Sequence, residues 1–310
     1  MSKLSCLKNL LKEGQAILIY TPVSRLYISG FESSLGYLFI TKEKSLLFVD
    51  GRYIEAAKKG VNEDIEVRLF TNIYEDVKSF LGKEIKTLLV ETSNTVASVR
   101  SFEKIFAREI IPSDTLEDTL HSLRLIKNDY EVDCIIKAQR IAQKAFDEIL
   151  KFIRPGVRKV KSGDFITMDF GAVYRGYHSD MTRTVAVGNV TDEMKNVYDT
   201  VLNANLAALE KVRAGVKAAD VDLAAREVIK KAGYGEYFTH STGHGVGLEI
   251  HENPNISFKN EKILENGNII TIEPGIYLPG KFGVRTEDMV LVTKNGCNNL
   301  TNAPKRLIII

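Results

Sequence analysis

Two stretches of this sequence repeat one another, and the repeat limits what the chain can fold into more than any other feature. VKSGDFITMDFG (160–171) aligns with LENGNIITIEPG (264–275), which sets Gly163 opposite Gly267, Thr167 opposite Thr271 and Asp169 opposite Glu273. Upstream, LKFIRPGV (150–157) aligns with LEKVRAGV (209–216), each closing a long amphipathic helix. The C-terminal part of the chain is therefore a tandem duplication of helix, further segment and β-hairpin. It must close around a pseudo-symmetric core with two carboxylates in equivalent places.

The copies differ in length. Residues 217–261 stand between the matched blocks of the second copy, whereas Val157 runs directly into Arg158 in the first. About 45 residues, a helix over Val221–Lys231 stopped by Gly233 and then a histidine-rich loop, have no counterpart. The register predicts that a complete first copy carries such a segment between Val157 and Arg158, packed on the preceding helix and pairing with the first hairpin. Those two residues would then lie well beyond the 3.8 Å that separates consecutive Cα atoms. Without the segment the hairpin has an open edge, and apolar surface is left uncovered at roughly 25 cal/mol per Å².

At roughly 150 residues per domain, 310 residues predict two domains, set here at 1–122 and 123–310. In the first, strands over Ala16–Tyr20, Gly36–Thr41, Ser45–Val49, Ile65–Phe70 and Ile85–Val90 alternate with helices over Arg52–Lys59, Ile73–Leu81 and Ala97–Ala107, the pattern of an α/β layer. Asp50-Gly51-Arg52-Tyr53 is its most pointed cluster, and reads as a strand-ending turn with a surface arginine. The periodicity loosens over Thr115–Leu125. Asn128 with Glu131 three residues on then forms a capping box that opens a long helix, whose apolar face is Ile135, Ala138, Ile141, Ala142, Ala145, Ile149 and Ile153 until Pro155-Gly156 ends it.

Forty-two Lys and Arg against 40 Asp and Glu leave a net charge of +2, so no global field recruits a polyanion and nucleic acid is not expected as a partner. No apolar run approaches the roughly 18–20 residues that cross a bilayer, so no membrane partner is expected either. Cys6, Cys134 and Cys297 form no C-x-x-C pair and no disulfide framework, which fits a cytoplasmic location.

The chemistry gathers in the duplicated part. Asp169 and Asp180 flank a hairpin turned at Arg175-Gly176, and Glu273 and Glu287 flank another with Pro279-Gly280 at its tip. Carboxylates buried in pairs repel, and need either a metal or a shared proton. His240, His244 and His251 lie in HSTGHGVGLEIH, where glycines on both sides of His244 permit close backbone approach and oppose a helix. Taken singly, each residue has a plainer reading: Asp before Gly as a turn carboxylate, His178 as a solvated side chain, Tyr177 and Tyr277 as core. Taken together, four carboxylates and one imidazole are too oxygen-rich for structural zinc but suit two divalent cations about 3.5–4 Å apart, and so metal-assisted hydrolysis.

MDFGAVYRGYHSDMTRT, GHGVGLEIHE, TIEPGIY and VRTEDMV resemble the signature blocks of the pita-bread metallopeptidases, in the Xaa-Pro aminopeptidase and prolidase branch. YISGFESSLGYLFITKEKSLLFVDGRYIEAAKKG (27–60) is similar to the creatinase-type N-terminal domain of that branch. The fold class this implies is α+β, a creatinase-like α/β domain followed by a pita-bread domain. The resemblance implies that Asp169, Asp180, His244, Glu273 and Glu287 ligate two metal ions, manganese first, with cobalt or zinc as alternatives. Asp180 and Glu287 would bridge them, and Glu273 would relay protons. His240 and His251 would line the substrate pocket, His251 helping to hold the tetrahedral intermediate, and Arg285 would orient Glu287 or the substrate. A further active-site histidine belongs to the segment absent from the first copy.

The activity implied is hydrolysis of the bond between an N-terminal residue and proline, in proline-containing peptides, by a homodimer. A prolidase acting on Xaa-Pro dipeptides and a non-catalytic pita-bread binding protein are the alternatives. A separate N-terminal domain of about 120 residues favours the Xaa-Pro branch over methionine aminopeptidases, which share the five ligands.

Overall fold

The computed structural model describes residues 2–156 and 159–310, and the chain divides into two units, Met1–Leu123 and Arg124–Ile310. The junction of Val157 with Arg158, expected to be broken, lies outside the described residues. Gly156 N donates to Val160 O at 3.1 Å. No helix among the described residues is long and apolar enough to cross a membrane.

The first unit comprises α1 (Lys3–Lys8), β1 (Gln15–Ile19), α2 (Pro22–Ser29), β2 (Tyr37–Ile40), β3 (Ser45–Val49), α3 (Ile54–Gly60), β4 (Glu66–Leu69), α4 (Ile73–Leu81), β5 (Thr87–Val90), α5 (Val96–Phe106), β6 (Glu109–Pro112) and most of α6 (Asp114–Leu125). Its six strands form one mixed sheet in the order β4-β3-β2-β1-β5-β6. The inner strands read as unbroken apolar runs because both faces are covered. On one face Ala16, Leu18, Phe39, Phe48, Leu88 and Val90 pack with Val77, Phe80, Phe102 and Phe106 of α4 and α5. The Asp50–Arg52 turn is as expected, with Arg52 exposed and its guanidinium on the Asp50 carboxylate at 2.7 Å.

Helix α1 and three further elements escaped the periodicity. Helix α2 opens on Pro22 and closes on a left-handed Gly30, two signals that lay in the sequence. Strand β6 is a short edge on which only Ile110 is buried. The stretch where the pattern loosened is the regular helix α6, whose covered stripe is reduced to Leu116 and Leu120.

In the second unit α7 (Asp129–Ile149) starts at the expected capping box, Asn128 accepting from Glu131 N and Glu131 reaching back to Asn128 N. Then come β7 (Phe165–Phe170), β8 (Val173–Tyr174), β9 (Tyr177–His178), β10 (Met181–Ala186), α8 (Asp192–Lys211), α9 (Ala218–Lys231), β11 (Gly243–Gly245), β12 (Glu252–Ile256), β13 (Ile269–Ile272), β14 (Gly275–Leu278), β15 (Phe282–Arg285), β16 (Asp288–Val292) and β17 (Cys297–Asn299). The second repeat forms a five-stranded sheet, β12-β11-β13-β16-β17, over the core of α8 and α9. Among the described residues the first repeat has the two-stranded pairs β10-β7 and β8-β9. The expected apolar face of α7 needs correction: Ile135, Ala138 and Ala142 are buried, but Ile141, Ala145 and Ile149 are exposed, because among the described residues no helix stands against them as α9 stands against α8.

Candidate metal centre

The site forms where the two hairpins meet. Asp169 lies near the end of β7 and Asp180 just before β10, with Thr182 opposite Asp169 in the register. Between them the β8–β9 hairpin turns on Arg175 and Gly176, both at positive φ. Gly171 is required there, since a Cβ on it would stand 1.9 Å from Ser179 O. Glu273 follows β13 and Glu287 precedes β16, with Ile272 opposite Asp288. His244 occupies β11, held between two strands so closely that a Cβ at Gly243 would lie 2.0 Å from Thr271 O and one at Gly245 would lie 2.2 Å from Asn253 O.

The structure brings Asp180, His244 and Glu287 together, one ligand atom from each lying within 4.8 Å of the others. Glu273 joins them, its Oε1 3.2 Å from His244 Nε2, which also stands 3.7 Å from Asp180 Oδ2. His244 Nδ1 is 3.0 Å from Gly245 O, a carbonyl that can only accept, so Nδ1 carries the proton and in the neutral ring Nε2 offers its lone pair to the site. Asp169 is turned instead to Arg285, outside the group of three. The His251 ring packs edge-on against His244 with centroids 4.2 Å apart. His240 lies further off, its Nε2 3.0 Å from the Tyr277 hydroxyl.

Burial raises the Asp180 pKa to about 7, the Asp169 and Glu273 charges adding to the effect against the pull of His244. Burial also drives Glu287 well above the ordinary carboxylate range, with Asp180 and Glu273 pushing the same way. For His244 burial opposes the charged ring, but the Glu273 hydrogen bond and the Asp180 charge outweigh it and the pKa rises. Glu273, also resisted by burial, is drawn below its ordinary value by His244 and Arg285.

The residues present fit divalent cations. Asp180 Oδ1 and Glu287 Oε1 are buried without a hydrogen-bond partner, an arrangement that costs several kcal/mol for the ionised groups unless a cation or a proton meets them. Their oxygens, with one imidazole nitrogen, form a hard, mostly anionic donor set.

Several supporting residues were not singled out from the sequence. Thr182 donates to Glu287 Oε2 at 2.6 Å and its carbonyl accepts from Glu287 N at 3.1 Å, tying the two repeats at a candidate ligand. Its position two residues after Asp180 in an extended stretch was the available signal. Tyr277, expected as core, is half-buried, and its hydroxyl accepts from Arg285 Nη1 at 3.1 Å and faces His240. Asp222, fully buried on α9, accepts from Thr242 N and Oγ1 and from Arg226, whose Nη2 donates to His240 O. Behind His251, Glu252 is held by Arg124 and by the buried Lys127. No local pattern announces pairs this far apart in the chain.

Residues 157–294 match Metallopeptidase family M24, and residues 7–126 match the Creatinase/Prolidase N-terminal domain. An uncharacterized peptidase of Bacillus subtilis is 35% identical over 99% of this chain and 100% of its own length. That alignment spans 359 positions, more than the 310 residues present here, so the relative carries residues that face gaps in this chain. An Xaa-Pro dipeptidase of Pyrococcus horikoshii is 36% identical over 94% of each chain. Among solved structures, an Xaa-Pro dipeptidase from Bacillus anthracis superposes with a TM-score of 0.91 at 35% identity, covering 99% of both chains.

Proposed function

The chain belongs to metallopeptidase family M24, with a creatinase-type domain before a pita-bread domain, and from that premise we propose an Xaa-Pro aminopeptidase that releases the residue preceding proline. Membership makes it a hydrolase of the Xaa-Pro peptidase family that works with divalent metal ions on peptides. The observation that carries the site assignment is the pair of buried, unpartnered oxygens on Asp180 and Glu287 beside His244 Nε2. Asp169, Asp180, His244, Glu273 and Glu287 are the proposed ligands of two ions, manganese being preferred because four of the five donors are carboxylates.

Two bound cations would supply Lewis acidity and make water nucleophilic at neutral pH. The protein's own groups do the rest. Asp180 and Glu287 would hold the ions with their carboxylates, and Thr182 fixes the Glu287 carboxylate through its hydroxyl and the Glu287 backbone N–H through its carbonyl. Glu273, ionised and in contact with His244, is the group that takes a proton from the attacking water and returns it to the leaving amine. His251, packed on His244, is the donor proposed to stabilise the tetrahedral oxyanion. His240, Tyr277 and Arg285 form a hydrogen-bonded wall that orients the substrate.

A homodimer in the cytoplasm completes the proposal; the latter rests on three free thiols. The dipeptidase reading is kept because the Pyrococcus and Bacillus anthracis relatives bear that name. Metal analysis with a cleavage series from Xaa-Pro to Xaa-Pro-Xaa-Xaa tests both. Two equivalents of metal with turnover of the longer peptides supports the aminopeptidase, turnover of Xaa-Pro alone makes it a dipeptidase, and a metal-free inert protein refutes both.

A further inference from the structure

The His251 ring has little of its own to hold it. The residue is exposed, and among the described residues its ring makes no hydrogen bond, only the edge-on packing against His244 with centroids 4.2 Å apart. It closes the irregular loop 246–250 that joins β11 to β12, in which Gly247 N donates to Glu249 O at 3.0 Å. A side chain at the end of such a loop lies where its backbone is put, so whatever fixes residue 252 also places His251.

Glu252 is fixed heavily. Its Oε1 accepts from Lys127 Nζ at 2.7 Å and its Oε2 from Arg124 Nη2 at 2.5 Å, while Glu249 of the loop takes the same Nη2 at 2.6 Å. The Arg124 and Glu252 side chains are each 7% exposed and that of Lys127 only 2%. The segment that carries the two cations is itself tied down just ahead of β13, Lys127 N donating to Gly267 O and Asn268 Nδ2 to Leu125 O, both at 3.0 Å. A Cβ at Gly247 would stand 2.3 Å from Glu252 Oε1, so the loop lies directly on the anchored carboxylate.

Stability does not account for this cluster. Burial pushes Lys127 below its ordinary pKa even with Glu252 against it, and Arg124 Nε is buried without a partner. Ions taken this far out of water recover little net energy from one another, and apolar side chains of similar volume commonly replace them without loss. What the ions supply and apolar groups do not is direction, through three charge-assisted bonds that fix where the loop can lie. We propose that Arg124, Lys127 and Glu252 are positioning residues that keep the His251 ring against His244, a role in ring placement that stands alone and a role in turnover that rests on the hydrolase reading.

The test replaces the buried pair by apolar groups, Lys127→Met together with Glu252→Met, which leaves Arg124 on Glu249. Histidine isotope-labelled at Cε1 gives five signals, that of His251 being the one lost in His251→Ala. In the metal-free wild type the neighbouring His244 ring should displace the His251 signal from that of a free imidazole, and in the folded double variant it should return to the free position. With metal added, kcat on an Xaa-Pro peptide should fall about tenfold while KM and metal content stay as in the wild type. If the double variant does not fold, Glu252→Asp keeps every charge, shortens the reach by one methylene and is read in the same way. A His251 signal unchanged in a folded variant overturns the proposal, and so does an unchanged kcat with the ring released. A wild type inert towards Xaa-Pro peptides fails the hydrolase reading instead, and the ring signal still decides whether the cluster places His251.

Discussion

Asp169 and Glu273 are equivalent in the duplicated sequence, yet the Asp169 side chain is 53% exposed and that of Glu273 only 15%. The difference follows from what flanks their strands: β13 lies between β11 and β16, while β7 has β10 on one side and nothing on the other among the described residues. Water screens an exposed carboxylate and competes for any cation it faces. Asp169→Asn should therefore cost roughly tenfold in metal affinity, and Glu273→Gln about a hundredfold or more. Metal titration of the two variants side by side checks the order; equal losses would mean the open flank is immaterial to binding.

Asp180→Asn and His251→Ala should separate residues that hold metal from residues that act on the substrate. The first leaves two cations facing each other with one fewer negative charge between them, so turnover should nearly vanish and metal content fall. The second removes a donor that touches His244 only through ring packing, so both ions should stay while kcat drops by about a hundredfold. Loss of metal from the His251 variant would show that the two roles had been exchanged.

Proton release should accompany metal binding. Asp180 is raised from 3.8 to about 7 in the metal-free protein and Glu287 moves the same way, so both hold protons that a bound cation must expel. A raised folded-state pKa contributes stability that is complete below the unfolded value and is lost as pH climbs through the folded one. Metal-free Tm should accordingly fall between about pH 4 and pH 7, the raised His244 extending the fall above its ordinary value of 6.5 and the lowered Glu273 opposing it at the acid end. Calorimetric titration with manganese at pH 6 in buffers of different ionisation enthalpy counts the protons; a heat independent of buffer would contradict the assignment.

Tyr277→Phe should lower kcat/KM by roughly tenfold with metal content unchanged. His240 Nδ1 is 2.8 Å from the Ser241 carbonyl and so must donate, which leaves Nε2 to accept from the tyrosine hydroxyl while that oxygen accepts from Arg285. Removing the oxygen strands a nitrogen on each side, about 1–3 kcal/mol of unmet hydrogen bonding where the substrate is oriented. The measurement is the steady-state constants with a metal assay; an unchanged kcat/KM would return Tyr277 to a packing role.

Much of this site was legible along the chain because its parts are local. A hairpin with Arg175-Gly176 at its turn places Asp169 near the end of one strand and Asp180 just before the other, although Asp169 turns to Arg285 and Asp180 reaches His244 and Glu287, and glycines at 243 and 245 already exclude a helix around His244. The duplication carried the pairing of Asp169 with Glu273 and the expectation that β7 has an open edge. What only the tertiary structure decided is which groups meet across the two repeats: Thr182 with Glu287, Tyr277 with His240 and Arg285, Lys127 with Glu252. The physical reason is that periodicity and turn chemistry report a residue's immediate backbone and which face it occupies. A hydrogen bond or ion pair between residues a hundred positions apart depends on how whole elements pack, and the same absence of a covering element that bared Ile141 and Ile149 on α7 was settled there too.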